Sequence, residues 1–350
     1  MPAHPRPARA TALGLALGAT LLAASGAIAG TPAMGANGSL GLPCFSIAAN
    51  GSTPVDVTQK RAGSTIASGS FVPATDGTTL CLKPLKAGDK LVITQGATTR
   101  TATVPALTLA LDLARNKVTG TSSLTGAFVS IEVLERVGGL ITGVAASRLA
   151  AVGANGAFST LTTPEIDAQR GDQASANILT ATDEWSRVVS TGALLVQVGS
   201  ASVTGTVPVG ARATAVLTSP AGAVRGRFSV GSGRDKQTAG RLTGTFRRGG
   251  KAVKVRAGDL VTFSGISTPF RVLRRTLVVD TSGNGSLSAT CPAGGEWIAY
   301  VDTLRVAKGD TPKSGKVAVG DLAGLTSGEH VKLVCSTKTG FATLQESVVP

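Results

Sequence analysis

Val118-Thr119-Gly120-Thr121 returns 85 residues later as Val203-Thr204-Gly205-Thr206. The residues after each copy also match. From Thr121 the chain passes Gly126 and enters the alternating run Phe128-Val129-Ser130-Ile131-Glu132-Val133. From Thr206 it passes Gly210 and enters Ala213-Thr214-Ala215-Val216-Leu217, and from Thr290 it passes Gly294 and enters Trp297-Ile298-Ala299-Tyr300-Val301. Apolar and polar residues alternating with a period of two mark a strand that buries one face. A repeat of such strands at fixed spacing marks a tandem array.

Two further markers keep nearly the same period. A glycine followed by an acid recurs at Gly88-Asp89, Gly171-Asp172, Gly258-Asp259 and Gly328-Glu329, and a strand follows at least three of these turns, from Lys90, Leu260 and His330. Gly-x-Phe precedes that turn as Gly69-Ser70-Phe71, Gly156-Ala157-Phe158 and Gly244-Thr245-Phe246. Together they divide the chain into four units, at residues 35–105, 113–195, 200–268 and 280–345. Short Val-, Ile- and Thr-rich runs separated by turn pairs such as Asp76-Gly77, Asn155-Gly156 and Asn284-Gly285 predict a small β-sandwich for each unit. The expected class is all-β. Glu165 to Val189 is the one stretch that reads as a helix, and Gly171 inside it weakens that reading.

Residues 1–29 read as a secretory signal peptide. Arg6 and Arg9 supply the positive start, Thr11 to Ala27 is uncharged and apolar, and Ala27-Ile28-Ala29 is an A-x-A cleavage site. The apolar stretch is barely long enough to span a bilayer and is full of small residues, which favours cleavage over anchoring. No later run has the length of a membrane span, so the mature chain is expected outside the cytoplasm, secreted or associated with the envelope. In that compartment four cysteines favour two disulfides. Their positions pair Cys44 with Cys81 and Cys291 with Cys335, each within one terminal unit. A metal site is the alternative, and it lacks C-x-x-C spacing and a neighbouring histidine.

On the V-T-G-T start, the Gly-x-Phe strand and the Gly-acid turn, the chain resembles tandem bacterial immunoglobulin-like modules of secreted and cell-surface proteins. The resemblance covers most of residues 35–345. It implies spacer, adhesive or envelope-associated roles, and it carries over no catalytic residue. Some surface sandwiches of this kind form a Lys–Asn bond, for which Lys117, Glu132 and Asn177 are the candidates in the second unit.

The residues themselves argue against common enzyme chemistries. His330 is the one histidine after the leader, and no G-x-S-x-G occurs. Calcium-loop and phosphate-loop patterns are absent, so no cofactor is expected. Aromatics are 3% of the chain, with two Trp and one Tyr, too few to line a sugar cleft. Trp297 shares its strand position with Phe128 and Ala213 and is expected in a core. Arg170-Gly171-Asp172 is an RGD tripeptide, but its Gly-Asp is the repeat's own turn.

The charge has one address. The formal net charge is +14, and residues 221–275 carry 13 basic residues against two acidic ones. Arg225, Arg227, Arg241, Arg247, Arg248, Lys251, Lys254 and Arg256 are the candidate contacts to an anionic polymer, of the cell wall or the extracellular space. In Lys251 to Arg256, Val253 and Val255 are expected to face inward with Lys254 and Arg256 outward, and Arg225 and Arg227 to share a face. The bland alternative is a solvated basic face that only aids solubility. The expected function is therefore non-enzymatic: a structural or adhesive envelope protein, whose partners include such a polymer and other envelope proteins. A secreted hydrolase with a carboxylate site at a domain junction, or a binder of host surface polymers, is the alternative.

Overall fold

A computed structural model describes residues 34–49, 51–73, 78–137, 140–236, 238–274, 276–322 and 325–349. The expected signal peptide lies outside the described residues. The described chain is all-β, as the alternation predicts, and it forms four sandwiches with one strand order. Each has seven strands among the described residues, with the first, second and fifth in one sheet. The fourth, third, sixth and seventh form the other, in that order.

The strands of the first sandwich are Gly35–Ser39, Cys44–Ala48, Val55–Arg61, Ser64–Phe71, Thr78–Cys81, Lys90–Gln95 and Thr98–Thr103. Those of the second are Leu107–Asp112, Lys117–Ser122, Phe128–Val137, Leu140–Ala151, Ala157–Leu161, Gln173–Leu179 and Glu184–Ser190. The third has Ala193–Gln197, Ser202–Thr206, Arg212–Thr218, Val224–Gly231, Arg241–Thr245, Leu260–Phe263 and Ile266–Arg271, with a small hairpin, Arg247–Arg248 and Lys251–Ala252, added at one edge. The fourth has Val278–Asp280, Ser286–Thr290, Glu296–Val301, Leu304–Asp310, Lys316–Val319, His330–Ser336 and Phe341–Val348.

The repeat markers have structural causes. Val-Thr-Gly-Thr is the second strand of its sandwich. A Cβ on Gly120 would stand 2.3 Å from the ring of Phe158 and 2.3 Å from the Thr108 carbonyl, so only glycine lets that ring cross the strand. The Gly-acid turns are built alike. Gly88, Gly171, Gly258 and Gly328 all have positive φ, a conformation that costs glycine little. Each following acid accepts a hydrogen bond from the backbone N–H three residues earlier: Lys86 to Asp89 at 3.0 Å, Gln169 to Asp172 at 2.9 Å, Arg256 to Asp259 at 2.7 Å and Thr326 to Glu329 at 2.7 Å.

Three local expectations are corrected. Glu165 to Val189 holds two strands instead of a helix, because Ala174, Ala176 and Ile178 bury one face at a period of two. Phe71 ends a fourth strand, whereas Phe158 lies in a fifth strand and Phe246 just past one, so the Gly-x-Phe spacing does not mark one equivalent position. Phe128 points outward and is exposed, while Ala213 is buried and Trp297 packs beside the fourth core.

Both disulfides form as paired from the sequence. Cys44 and Cys81 are directly opposed on neighbouring strands of one sheet. The second bridge links Cys291, just past the second strand, to Cys335 in the opposite sheet.

The sandwiches are joined by shared sheets. Gly35–Ser39 pairs in parallel with Glu184–Ser190, so the three-stranded sheet of the first continues into the four-stranded sheet of the second. Ala193–Gln197 pairs in parallel with Phe341–Val348 and joins the third to the fourth in the same way. One apolar core runs through the first pair. In the second pair Phe341 stacks on Phe270 at 5.1 Å and enters the third sandwich's core.

Candidate functional site

The third sandwich differs from its siblings by the added hairpin. Gly249 and Gly250 both have positive φ, at 54° and 79°, the signature of a two-residue turn that suits the twist of a hairpin. On either side of it Arg248 stands opposite Lys251, and Arg247 stands opposite Ala252. Arg247 also pairs across the next strand with Arg227. Like charges placed directly opposite one another repel. All four cations are exposed, and none has an ion pair among the described residues.

The eight sequence-chosen residues sort into three groups. Arg227, Arg247, Arg248 and Lys251 gather on the hairpin and the strand beside it. Lys254 and Arg256 follow on the next extended segment and point outward, while Val255 is buried and Val253 packs on the core, as the parity predicts. Arg225 and Arg241 stand apart. Arg225 shares the strand of Arg227 but bonds the buried Asp259 and donates to the Lys254 carbonyl at 3.1 Å. Arg241 lies on the other sheet, where its charge bears on Arg136 of the second sandwich. Arg212, exposed on the same outer face as Arg227, falls outside the basic segment, though the Arg212-Ala213-Thr214-Ala215 alternation carries its signal. Arg275 lies outside the described residues. The four core-facing aromatics Phe228, Phe246, Phe263 and Phe270 are all buried, so this face has no stacking platform from them.

A second charged cluster was legible only in its turn acid, Asp172, because the rest is buried where sandwiches meet. Glu135, Arg136 and Asp172 are buried in the second sandwich. Glu135 lies 3.4 Å from Lys308 and 3.7 Å from Arg305 of the fourth, and Gln169 Nε2 donates to Glu296 at 2.6 Å. Asp172 accepts from the Arg136 backbone N–H at 2.7 Å. Burial pushes the Asp172 carboxyl up to about 7, the backbone N–H bonds oppose that rise, and Glu135 and Glu296 add to it. Burial brings the Arg136 guanidinium down to about 10, helped by Arg241. Burial also raises Glu296. The aspartate of the RGD tripeptide is thus fully buried and spent on its turn, which removes it from any receptor's reach.

Other candidates resolve simply. His330 is exposed on its strand, with Nδ1 3.0 Å from Glu346. Glu132 lies on the exposed outer face of one sheet and Lys117 belongs to the opposite sheet, so the Lys–Asn bond has no geometry. Among the described residues no group of three or more His, Cys, Asp or Glu is placed to hold a metal ion, and no helix is long and apolar enough to cross a membrane. The fourth sandwich has an open groove of about 450 Å³ between its sheets, lined by Val301, Leu304, Val306, Val319, Leu322 and Leu325 among others.

No family model matches the chain, and no curated protein matches it. Among solved structures, a tetra-tandem repeat from the extending region of a large adhesion protein is 15% identical, over 91% of this chain and 100% of that one, with a TM-score of 0.21. The BSP domain of a biofilm-associated protein is 6% identical over 89% and 93%, with a TM-score of 0.20. The central fibronectin-III array of RIM-binding protein is 14% identical over 70% and 96%, with a TM-score of 0.18. Scores of this size add nothing to the fold read from strand order. The class the sheets themselves define is a tandem array of immunoglobulin-like sandwiches.

Proposed function

We propose that this is an exported, non-catalytic protein with a structural or adhesive role at the bacterial envelope, whose third sandwich holds an anionic polymer through the Arg247–Ala252 hairpin. The observation that carries the reading is the stacking of like charges across strands. Arg227 against Arg247 and Arg248 against Lys251 cost stability in the free protein, and a row of phosphates or sulfates relieves that repulsion. A face meant only for solubility has no need to oppose its cations in register.

The test uses the whole mature chain and a labelled DNA duplex as the polyanion, titrated at salt between roughly 50 and 200 mM. Binding is expected to weaken steeply with salt. The triple substitution Arg247→Ser, Arg248→Ser, Lys251→Ser is expected to lower the log–log salt slope by about 0.9 for each phosphate no longer neutralised. Absence of binding at the lowest salt overturns the proposal, and so does an unchanged slope in the triple variant. A sulfated glycan in a parallel titration separates preference for phosphate from general polyanion binding.

A further inference from the structure

The outer face of the four-stranded sheet is treated differently in the second and fourth sandwiches, and their shared register aligns the two faces residue by residue. Val129 pairs with Ile178 and Ala150, as Trp297 pairs with Cys335 and Gly309. Phe128 therefore occupies the place of Glu296, Leu149 that of Lys308 and Leu179 that of Ser336. In the fourth sandwich this face is a contact surface: Glu296 receives Gln169 and Lys308 faces Glu135, both from the second sandwich. Behind them Ile298, Val334 and Ala342 are buried on the same face. In the second sandwich the same positions are apolar and open. Phe128 is 60% exposed, Leu149 67% and Leu179 69%. Small residues, Ser130, Ser147 and Ala151, lie among them and leave the patch flat. Three large apolar side chains side by side on a sheet face mark an interaction surface.

The chain also shows what covers such a face. Glu135 is carried there by the strand pair Phe128–Val137 and Leu140–Ala151, the third and fourth strands of its sandwich. The same two strands of the fourth sandwich, Glu296–Val301 and Leu304–Asp310, end in an exposed apolar tip, with Leu304 68% and Val306 38% exposed. We propose that this tip, from a second copy of the chain, docks on the Phe128, Leu149 and Leu179 face. The contact repeats between copies the one made within the chain from the second sandwich to the fourth. It joins two different surfaces, so it continues head to tail from copy to copy, into a ring where the rotation closes and an open row where it does not.

The test is sedimentation velocity on the mature chain over a wide concentration range. Mass is expected to rise with concentration and to persist at high salt, since the contact is apolar. The double variant Phe128→Glu, Leu149→Lys gives the face the residues of the fourth sandwich and is expected to stay monomeric. Leu304→Asp alone is expected to do the same. All three positions are exposed, and circular dichroism confirms that each variant folds. Mixing the two variants restores pairs and nothing longer, because one supplies an intact tip and the other an intact face. A wild-type monomer at every concentration overturns the proposal. Association that survives Leu304→Asp but not the double variant also overturns it, in favour of two faces meeting each other.

Discussion

Asp89 and Asp172 sit in equivalent turns of the first and second sandwiches and experience opposite electrostatics. Asp89 is fully buried, and burial alone would raise its pKa. The guanidinium of Arg61, at 2.7 Å, with the Lys86 N–H and the Gln59 amide, outweighs that and holds it below the usual carboxylate range. Arg61→Ala leaves a buried carboxylate without its cation. The expected cost is at the low end of about 3–5 kcal/mol, because Arg61 itself is partly exposed. Urea unfolding at neutral pH measures it, and a change below about 1 kcal/mol means the pair is no more than a surface ion pair. The pair's contribution is present at neutral pH and is lost as pH falls through the lowered folded pKa.

Asp172 runs the other way. Its folded pKa lies near 7, above the unfolded value of about 3.9, so the folded state binds the proton more tightly. Its contribution to stability is greatest at low pH, declines as pH rises from about 4 to about 7, and is constant above that. Glu296 shifts in the same direction. Asp172→Asn is expected to flatten the fall in urea midpoint between pH 5 and pH 8. The variant starts from lower stability at pH 5, since an amide offers one acceptor where the two N–H groups of Arg136 and Gln169 need two. An undiminished fall in the variant places the pH dependence elsewhere.

At the scale of the element, the sequence was readable wherever one face meets solvent. Alternation located the third strand of three sandwiches, and the Gly-acid turn located the sixth strand in the first, third and fourth. It was unreadable where both faces are covered. In Glu184–Ser190 the residues Trp185, Ser186, Val188 and Ser190 are buried, because a neighbouring sandwich covers the other side, so the period of two disappears and a helix is an equal reading. The basic hairpin was half legible. Composition placed the charge in residues 221–275, and the glycine pair flanked by cations is a turn signal. Yet Arg225 and Arg241 were grouped with it, because sequence gives no sign that Asp259 would claim one and the opposite sheet the other. The exposed Phe128 was matched to the repeat position of Trp297 and Ala213, which is one residue out of register: Val129, Ile131 and Val133 hold the inward parity, and Phe128 falls outside with Ser130 and Glu132.

At the scale of the molecule, the parallel joints decide what can fold alone. Glu184–Ser190 is completed on one side by Gly35–Ser39, and Trp185 is fully buried where Gly38 lies opposite it. Gly38 has no side chain to part the strands there: a Cβ would stand 2.6 Å from Leu85 and 3.4 Å from the indole. Residues of both sandwiches belong to one continuous core. A fragment beginning at residue 105 keeps its own seven strands but exposes the edge of the last one and uncovers Trp185, and an open apolar edge invites aggregation. Residues 34–192 are therefore expected to fold as one cooperative unit, and residues 105–192 to be poorly soluble or unfolded. The longer fragment contains Trp185 as its single tryptophan, so fluorescence reports the joint while far-ultraviolet circular dichroism reports both sandwiches. Coincident urea transitions by the two probes are the expected result. Two separated transitions, or a stable 105–192 fragment with a buried tryptophan, would show that the joint only lines up sandwiches that are already complete.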